Sequence, residues 1–320
     1  RTGKKYKDLP FPEIYFGGCC WGAAFYIGVY RALWELYGPD MVSKGGLKVS
    51  GDSAGCVIAL MIAGGYHPDK LDAIYRKVGE KSKETQPWYN PFNNTGSSVY
   101  CEDVLRNEIL INKNDYQKFN HGNFTCGTTA FYDKHYWHMN WSSNEDLINT
   151  IKGCYHISFY CHSIEPVYGV NCVDGAYGIS GQDFLNGDYT LFIGIDPHAE
   201  ITRTFTNAEM FYPATCQEYD DMVTSGYHAM MNWDGKFLKK VGQMCSDAPG
   251  SQYALPMTYD WKLKRIVINK NSIENNKKLI KKYNQYWKPY RVANHPMLAV
   301  LWVMRVIELY FKYFFLCGIF

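Results

Sequence analysis

The first residues in this chain whose types and spacing could carry out a reaction are Gly51-Asp52-Ser53-Ala54-Gly55. Small residues at Gly51 and Gly55 permit the sharp strand-to-helix turn of a nucleophile elbow, which exposes the Ser53 hydroxyl. A tight turn closed by a capping serine has the same composition, so the motif needs companions. A serine hydroxyl is weakly nucleophilic at neutral pH and requires a base within roughly 2.6–3.2 Å. Two kinds of base are on offer. In the chain order of an α/β-hydrolase, His198 or His228 would follow Asp174 or Asp196. Neither histidine lies in a loop signature, and only two strand candidates precede Ser53. Alternatively, the Asp174 carboxylate, at the end of an apolar run and followed by Gly175, could take the proton directly. Asp52 reads as a solvated or supporting group, because the neighbour of an elbow nucleophile points elsewhere.

Acyl transfer also needs donors for an oxyanion, commonly backbone amides of a glycine-rich loop. Gly17-Gly18-Cys19-Cys20-Trp21-Gly22 meets that need. It lacks the Lys-Ser/Thr ending of a phosphate-binding P-loop and fits G-x-G-x-x-G poorly, which argues against a nucleotide. The adjacent Cys19 and Cys20 could form a redox or acylation site, but small residues in an apolar loop are the plainer reading.

The elements that must position these groups follow from periodicity. Glu13–Phe16 reads as a strand, and the next helix, ending at Tyr37, carries Phe25, Val29, Leu33 and Leu36 on one face. Leu47–Ser50 reads as a second strand and Cys56–Ala63 as a buried helix. This βαβα order, with a right-handed crossover, sets both loops at one carboxyl edge of a parallel sheet. Further strands are expected within 123–141, at Asn171–Asp174 and at Tyr189–Ile195, and a helix at Asn144–Tyr155. Residues 70–120 read as a helix mixed with a long surface connection, without chemistry.

Three ordered segments together resemble the patatin-like phospholipase family: Phe16 to Val29 with its glycine loop, Gly51-Asp52-Ser53-Ala54-Gly55, and Val173-Asp174-Gly175. Glu145-Asp146-Leu147 and the stretch from Gly153 to Pro166 are similar to the branch that includes adipose triglyceride lipase. The likeness spans residues 11 to about 200. It implies a three-layer α/β sandwich with a mainly parallel central sheet and a lipid acyl hydrolase using a Ser53–Asp174 dyad without histidine. It further implies an oxyanion hole from the amides of Gly17, Gly18, Cys19, Cys20 and Ala54. Three positions depart from the family pattern. Cys20 stands where the family carries glycine, the last loop glycine falls on Gly22 or Ala23, and Asp-Gly-Gly has become Asp174-Gly175-Ala176. These departures leave open a catalytically impaired lipid-surface or scaffold protein, beside the His-dependent esterase above.

Composition bounds the remainder. Hydrophobic residues at 47% and charged residues at 20% of 320 residues predict an ordinary folded chain. A net charge of +2 offers no global field for nucleic acid, so no nucleic-acid partner is expected. An aromatic content of 17% suits a surface that meets lipid. The cysteines lack the spacing of metal ligands, and Cys56 and Cys172 sit inside apolar runs. Free thiols, no metal, no cofactor and a cytoplasmic setting, peripheral at a membrane or lipid-droplet surface, are therefore expected. Residues 11–215 read as the hydrolase domain and 216–320 as a helical C-terminal extension. That extension carries a lysine-rich stretch between Lys262 and Arg291 and an apolar tail from Pro296. Arg305, Glu308 and Lys312 interrupt the tail on one helical face, which favours an amphipathic helix over a membrane-spanning one.

Overall fold

The computed structural model describes residues 9–85, 95–120, 122–130, 134–157, 161, 167, 172–177, 190–195 and 199–236, with two strands at 257–260 and 265–268. Strand β1 (Glu13–Phe16) leads through the glycine loop into α1 (Ala23–Tyr37), which stops at Gly38 with φ 80°. Strand β2 (Lys48–Asp52) runs two residues beyond the expected Ser50 and turns directly into α2 (Ala54–Ala63). The two strands are parallel, with Glu13 opposite Lys48 and Phe16 opposite Gly51, so both loops leave the same edge.

Strand β3 (Phe124–Ala130) extends the sheet parallel to β2, and β4 (Lys134–His138) pairs antiparallel with β3. On the other side of β1, strands β6 (Thr190–Gly194) and β7 (Ile201–Thr202) continue in parallel. The chain is thus mixed α/β around a mostly parallel sheet of seven strands among the described residues, ordered β4-β3-β2-β1-β6-β7. The seventh strand, β5 (Cys172–Asp174), lies antiparallel on β3. Along β3, Gly127 faces Asp52 of β2 while the next residue, Thr128, faces Asp174 of β5. Strands β2 and β5 therefore run toward each other on one flank of β3, and their carboxyl ends meet.

Alternation along the strands divides the two faces of the sheet. Ile14 and Phe16 of β1 join the main core, whereas Tyr15 packs with Phe192 and Ala199 on the opposite face. Helix α2 covers the core side of β1, β2 and β3 and is buried along most of its length, as its unbroken apolar sequence requires. The region expected to mix a helix with a long surface connection holds α3 (Pro68–Thr85), α4 (Thr95–Val104) and a π-helical turn at Leu105–Ile109. Helix α5 (Asn144–Cys154) starts at Ser143, whose hydroxyl accepts the Asp146 N–H.

After the short α6 (Asn207–Phe211) comes α7 (Cys216–Met231), opened by a reciprocal capping box between Thr215 and Glu218. Helix α7 lies beyond the expected boundary at residue 215, yet Tyr219, Met222, Val223 and Met230 belong to the same core as α1. The two helices approach backbone to backbone. A Cβ on Gly28 would lie 1.9 Å from the Val223 carbonyl oxygen, and one on Gly226 would lie 1.9 Å from that of Phe25. The core therefore reaches at least Met230. Past residue 236 the described residues are two antiparallel strands, β8 (Met257–Asp260) and β9 (Arg265–Ile268), where a helical extension was expected. The apolar tail from Pro296 lies outside the described residues.

Phe11, Tyr15, Phe16, Phe25, Tyr26, Tyr30, Phe119 and Phe124 are fully buried, and Tyr212 is the one aromatic among the exposed large apolar side chains of the described residues. These rings fill the core because each removes a large apolar area from water.

Candidate active site

Ser53 sits between β2 and α2 with φ 55° and ψ −133°, a conformation L-residues seldom adopt. The elbow closes this tightly because its glycines have no Cβ. One added to Gly55 would lie 2.3 Å from the Phe16 carbonyl oxygen, and one on Gly51 would lie 2.5 Å from that of Gly55. The Ser53 N–H donates to the Cys154 carbonyl at 3.2 Å, which ties the turn to the end of α5.

Across the junction of β2 and β5, the Ser53 hydroxyl donates to Asp174 Oδ2 at 2.5 Å. The other carboxylate oxygen, Oδ1, accepts the Ala176 N–H at 2.9 Å, and the Asp174 N–H donates to the His156 carbonyl at 2.7 Å. Both side chains are buried. Burial pushes the Asp174 carboxyl up to about 8, opposed by the Ser53 and Ala176 hydrogen bonds. Of the two expected settings for Asp52, solvated or supporting, it does not occupy the solvated one: it is fully buried, accepts the Tyr15 hydroxyl at 2.7 Å, and is pushed up to about 7 by burial. Its carboxylate packs on Gly175, where a Cβ would meet Asp52 Oδ1 at 2.6 Å. It supports the Asp174 turn rather than reaching Ser53.

The glycine loop lies beside Ser53. A Cβ on Gly18 would stand 3.0 Å from Ser53 Cβ and 2.8 Å from Ala176 Cβ, so only glycine fits there. The N–H groups of Gly18, Cys19 and Ala54 have no hydrogen-bond acceptor among the described residues. Ala54 opens α2, so its amide also carries the positive end of that helix. Gly17 differs from the expectation. Its N–H donates to the Ile193 carbonyl at 2.9 Å and is spent in the sheet, which removes it from the expected donors. Its carbonyl accepts the Tyr26 hydroxyl at 3.0 Å. Because a trans peptide points C=O and N–H in opposite directions, this bond fixes the direction of the Gly18 amide. Cys20 occupies the left-handed region at φ 48°. Burial pushes both the Cys19 and Cys20 thiols far above their ordinary range, so neither offers the thiolate that a redox or acylation role requires.

An apolar cleft of about 710 Å³, counted to its open mouth, leads to Ser53. Its wall comes from Val57 of α2, from Leu71, Ile74, Tyr75 and Val78 of α3, and from Ser97, Ser98 and Cys101 of α4. None of the described residues that line it is charged. Reading the sequence for reactive side chains missed this wall. The signal was nonetheless present, since Leu71, Ile74, Tyr75 and Val78 follow the i, i+3, i+4, i+7 spacing of an apolar helix stripe.

Of the alternative bases, His228 is exposed on α7, and Asp196 and His198 lie outside the described residues. No group of three or more His, Cys, Asp or Glu among the described residues could hold a metal ion. No helix among them is long and apolar enough to cross a membrane. The nine described cysteines, Cys56 and Cys172 among them, are free thiols. Comparison with protein-family models gave no match, and comparison with curated proteins gave none either.

Proposed function

We propose that this chain is a serine hydrolase of lipid acyl esters, of patatin-like three-layer architecture, acting through a Ser53–Asp174 dyad at a membrane or lipid-droplet surface. The observation that carries the reading is the 2.5 Å hydrogen bond from the Ser53 hydroxyl to Asp174, on a strained elbow at the foot of an uncharged apolar cleft. An acyl chain suits that cleft because apolar surface gains about 25 cal/mol per Å² on leaving water.

In the reaction, the Ser53 proton passes to Asp174 Oδ2 as Ser53 Oγ bonds the ester carbonyl carbon. The resulting oxyanion is held by the amides of Gly18, Cys19 and Ala54. Its collapse breaks the carbon–alkoxide bond, and the leaving alcohol takes the proton from Asp174. Water then gives a proton to Asp174 and attacks the acyl carbon, releasing the fatty acid and returning the proton to Ser53. Each step uses groups present in this chain and needs no cofactor.

A second reading, a lipid-surface or scaffold protein with impaired chemistry, draws on the left-handed Cys20 and on the loss of Gly17 as a donor. Loss of one oxyanion donor costs about 2.7–4 kcal/mol of transition-state stabilisation. Fluorophosphonate labelling of the full chain, with mass-spectrometric mapping of the adduct, separates the two. The hydrolase reading expects an adduct on Ser53, hydrolysis of emulsified acyl esters, and loss of turnover by at least about 10³-fold in Ser53→Ala and Asp174→Asn. A folded protein with neither adduct nor turnover selects the second reading, and turnover retained in either variant overturns the dyad.

A further inference from the structure

The loop beside the nucleophile contains a residue whose conformation does not suit its type. Cys20 has φ 48°, where a Cβ crowds the following carbonyl oxygen and glycine is the usual occupant. Contacts on either side hold it there. Upstream, the Gly22 N–H donates to the Cys19 carbonyl at 2.9 Å. Downstream, the Tyr75 hydroxyl of α3 lies 3.1 Å from the carbonyl oxygens of both Cys20 and Trp21, which the Ala23 N–H also approaches. The Tyr75 ring meets Trp21 edge-on at 5.7 Å and forms part of the cleft wall next to Ser53. Relaxing φ at Cys20 toward the ordinary region would swing the Cys19–Cys20 peptide, and the amides next to Ser53, out of line while breaking the Tyr75 bonds.

We infer that Tyr75 is a positioning residue for acyl transfer. Its hydroxyl holds Cys20 in the left-handed conformation and so keeps the loop amides directed at the oxyanion. It takes over, through a hydrogen bond from a neighbouring helix, what a glycine at position 20 would achieve without strain. The inference rests on Ser53 being the acyl-enzyme nucleophile.

The test is a double-mutant cycle on the full chain: wild type, Tyr75→Phe, Cys20→Gly and the double variant. Each is measured for the rate of fluorophosphonate adduct formation on Ser53, for kcat and KM on p-nitrophenyl butyrate, and for Tm. Tyr75→Phe is expected to slow acylation and kcat about tenfold, equivalent to ~1.4 kcal/mol, with KM changed by less than about twofold. In the Cys20→Gly background the same change should cost less than about threefold, because glycine holds the conformation unaided. Wild-type acylation in Tyr75→Phe, or an equal loss in both backgrounds, overturns the inference. Should Tyr75→Phe fail to fold, Cys20→Gly alone decides: it must acylate at least as fast as wild type, and a slowing beyond about threefold overturns the clamp. A wild-type protein with no adduct on Ser53 would defeat the nucleophile reading itself, an outcome distinct from any difference among the variants.

Discussion

Burial sets the proton affinity of Asp174 and, in the proposed dyad, the pH at which Ser53 would react. The carboxyl must be ionised to accept the serine proton, and burial pushes it up to about 8. The kcat/KM for an ester is therefore expected to rise with pH to a midpoint near 8 and to level off above it. Asp52 is a second buried carboxylate whose charge raises Asp174, so Asp52→Asn should move that midpoint to lower pH. A profile measured from pH 5 to 10 checks both, and a rate independent of pH between 6 and 9 would contradict the assignment. At this scale the sequence was informative about identity. Ser53, Asp174, Gly18 and Ala54 could be named from short motifs, since an elbow and a glycine loop impose backbone requirements that few residue types meet. The engagement of the Gly17 amide could not be named, because its acceptor, Ile193, is remote in sequence.

Helices α3 and α7 each play a part that composition understates. Helix α3 turns its stripe of Leu71, Ile74, Tyr75 and Val78 toward the cleft, so its apolar face forms one wall of it. Replacing Val78 with Trp should fill part of that volume. The expected result is a fall of more than about tenfold in kcat/KM for a long-chain ester with butyrate hydrolysis largely retained, read from rates across a series of acyl lengths. Helix α7 binds α1 through Gly28 and Gly226, each facing the other helix's carbonyls with no room for a methyl group. Gly226→Ala should cost at least about 1–3 kcal/mol, since overpacking must push the helices apart. Denaturant unfolding measures it, and an unchanged midpoint would show that the helices can separate freely. The periodicities of both helices are visible in sequence, whereas the surfaces they meet are not.

For the whole molecule, the buried dyad links stability to pH. Asp174 binds its proton more tightly in the folded chain than at its ordinary value of 3.8, so between about 4 and 8 the folded state holds more protons than the unfolded state. The stabilising contribution is complete below the ordinary value and is lost as pH rises through 8. Asp174→Asn escapes this loss. Its Tm should exceed that of wild type by several degrees at pH 8.5 and by little at pH 4, with ~1 kcal/mol corresponding to roughly 2–4 °C. Calorimetry at the two pH values tests the sign.

The order β1–α1–β2–α2, the helix at Asn144–Cys154, the elbow and the glycine loop were all determined by the sequence alone. Each depends on periodicity, capping and glycine placement within a window of some 11–18 residues. Tertiary structure decided how Ser53 meets Asp174 across 121 residues, through the abutting ends of β2 and β5 on β3. It also decided which helices wall the cleft, that α7 belongs to the core, and that rings such as Phe11, Tyr26 and Phe119 lie inside. The physical reason is common to all four. Strand register and helix contact are fixed by burial against partners distant in the chain, and no local pattern specifies which partner that will be.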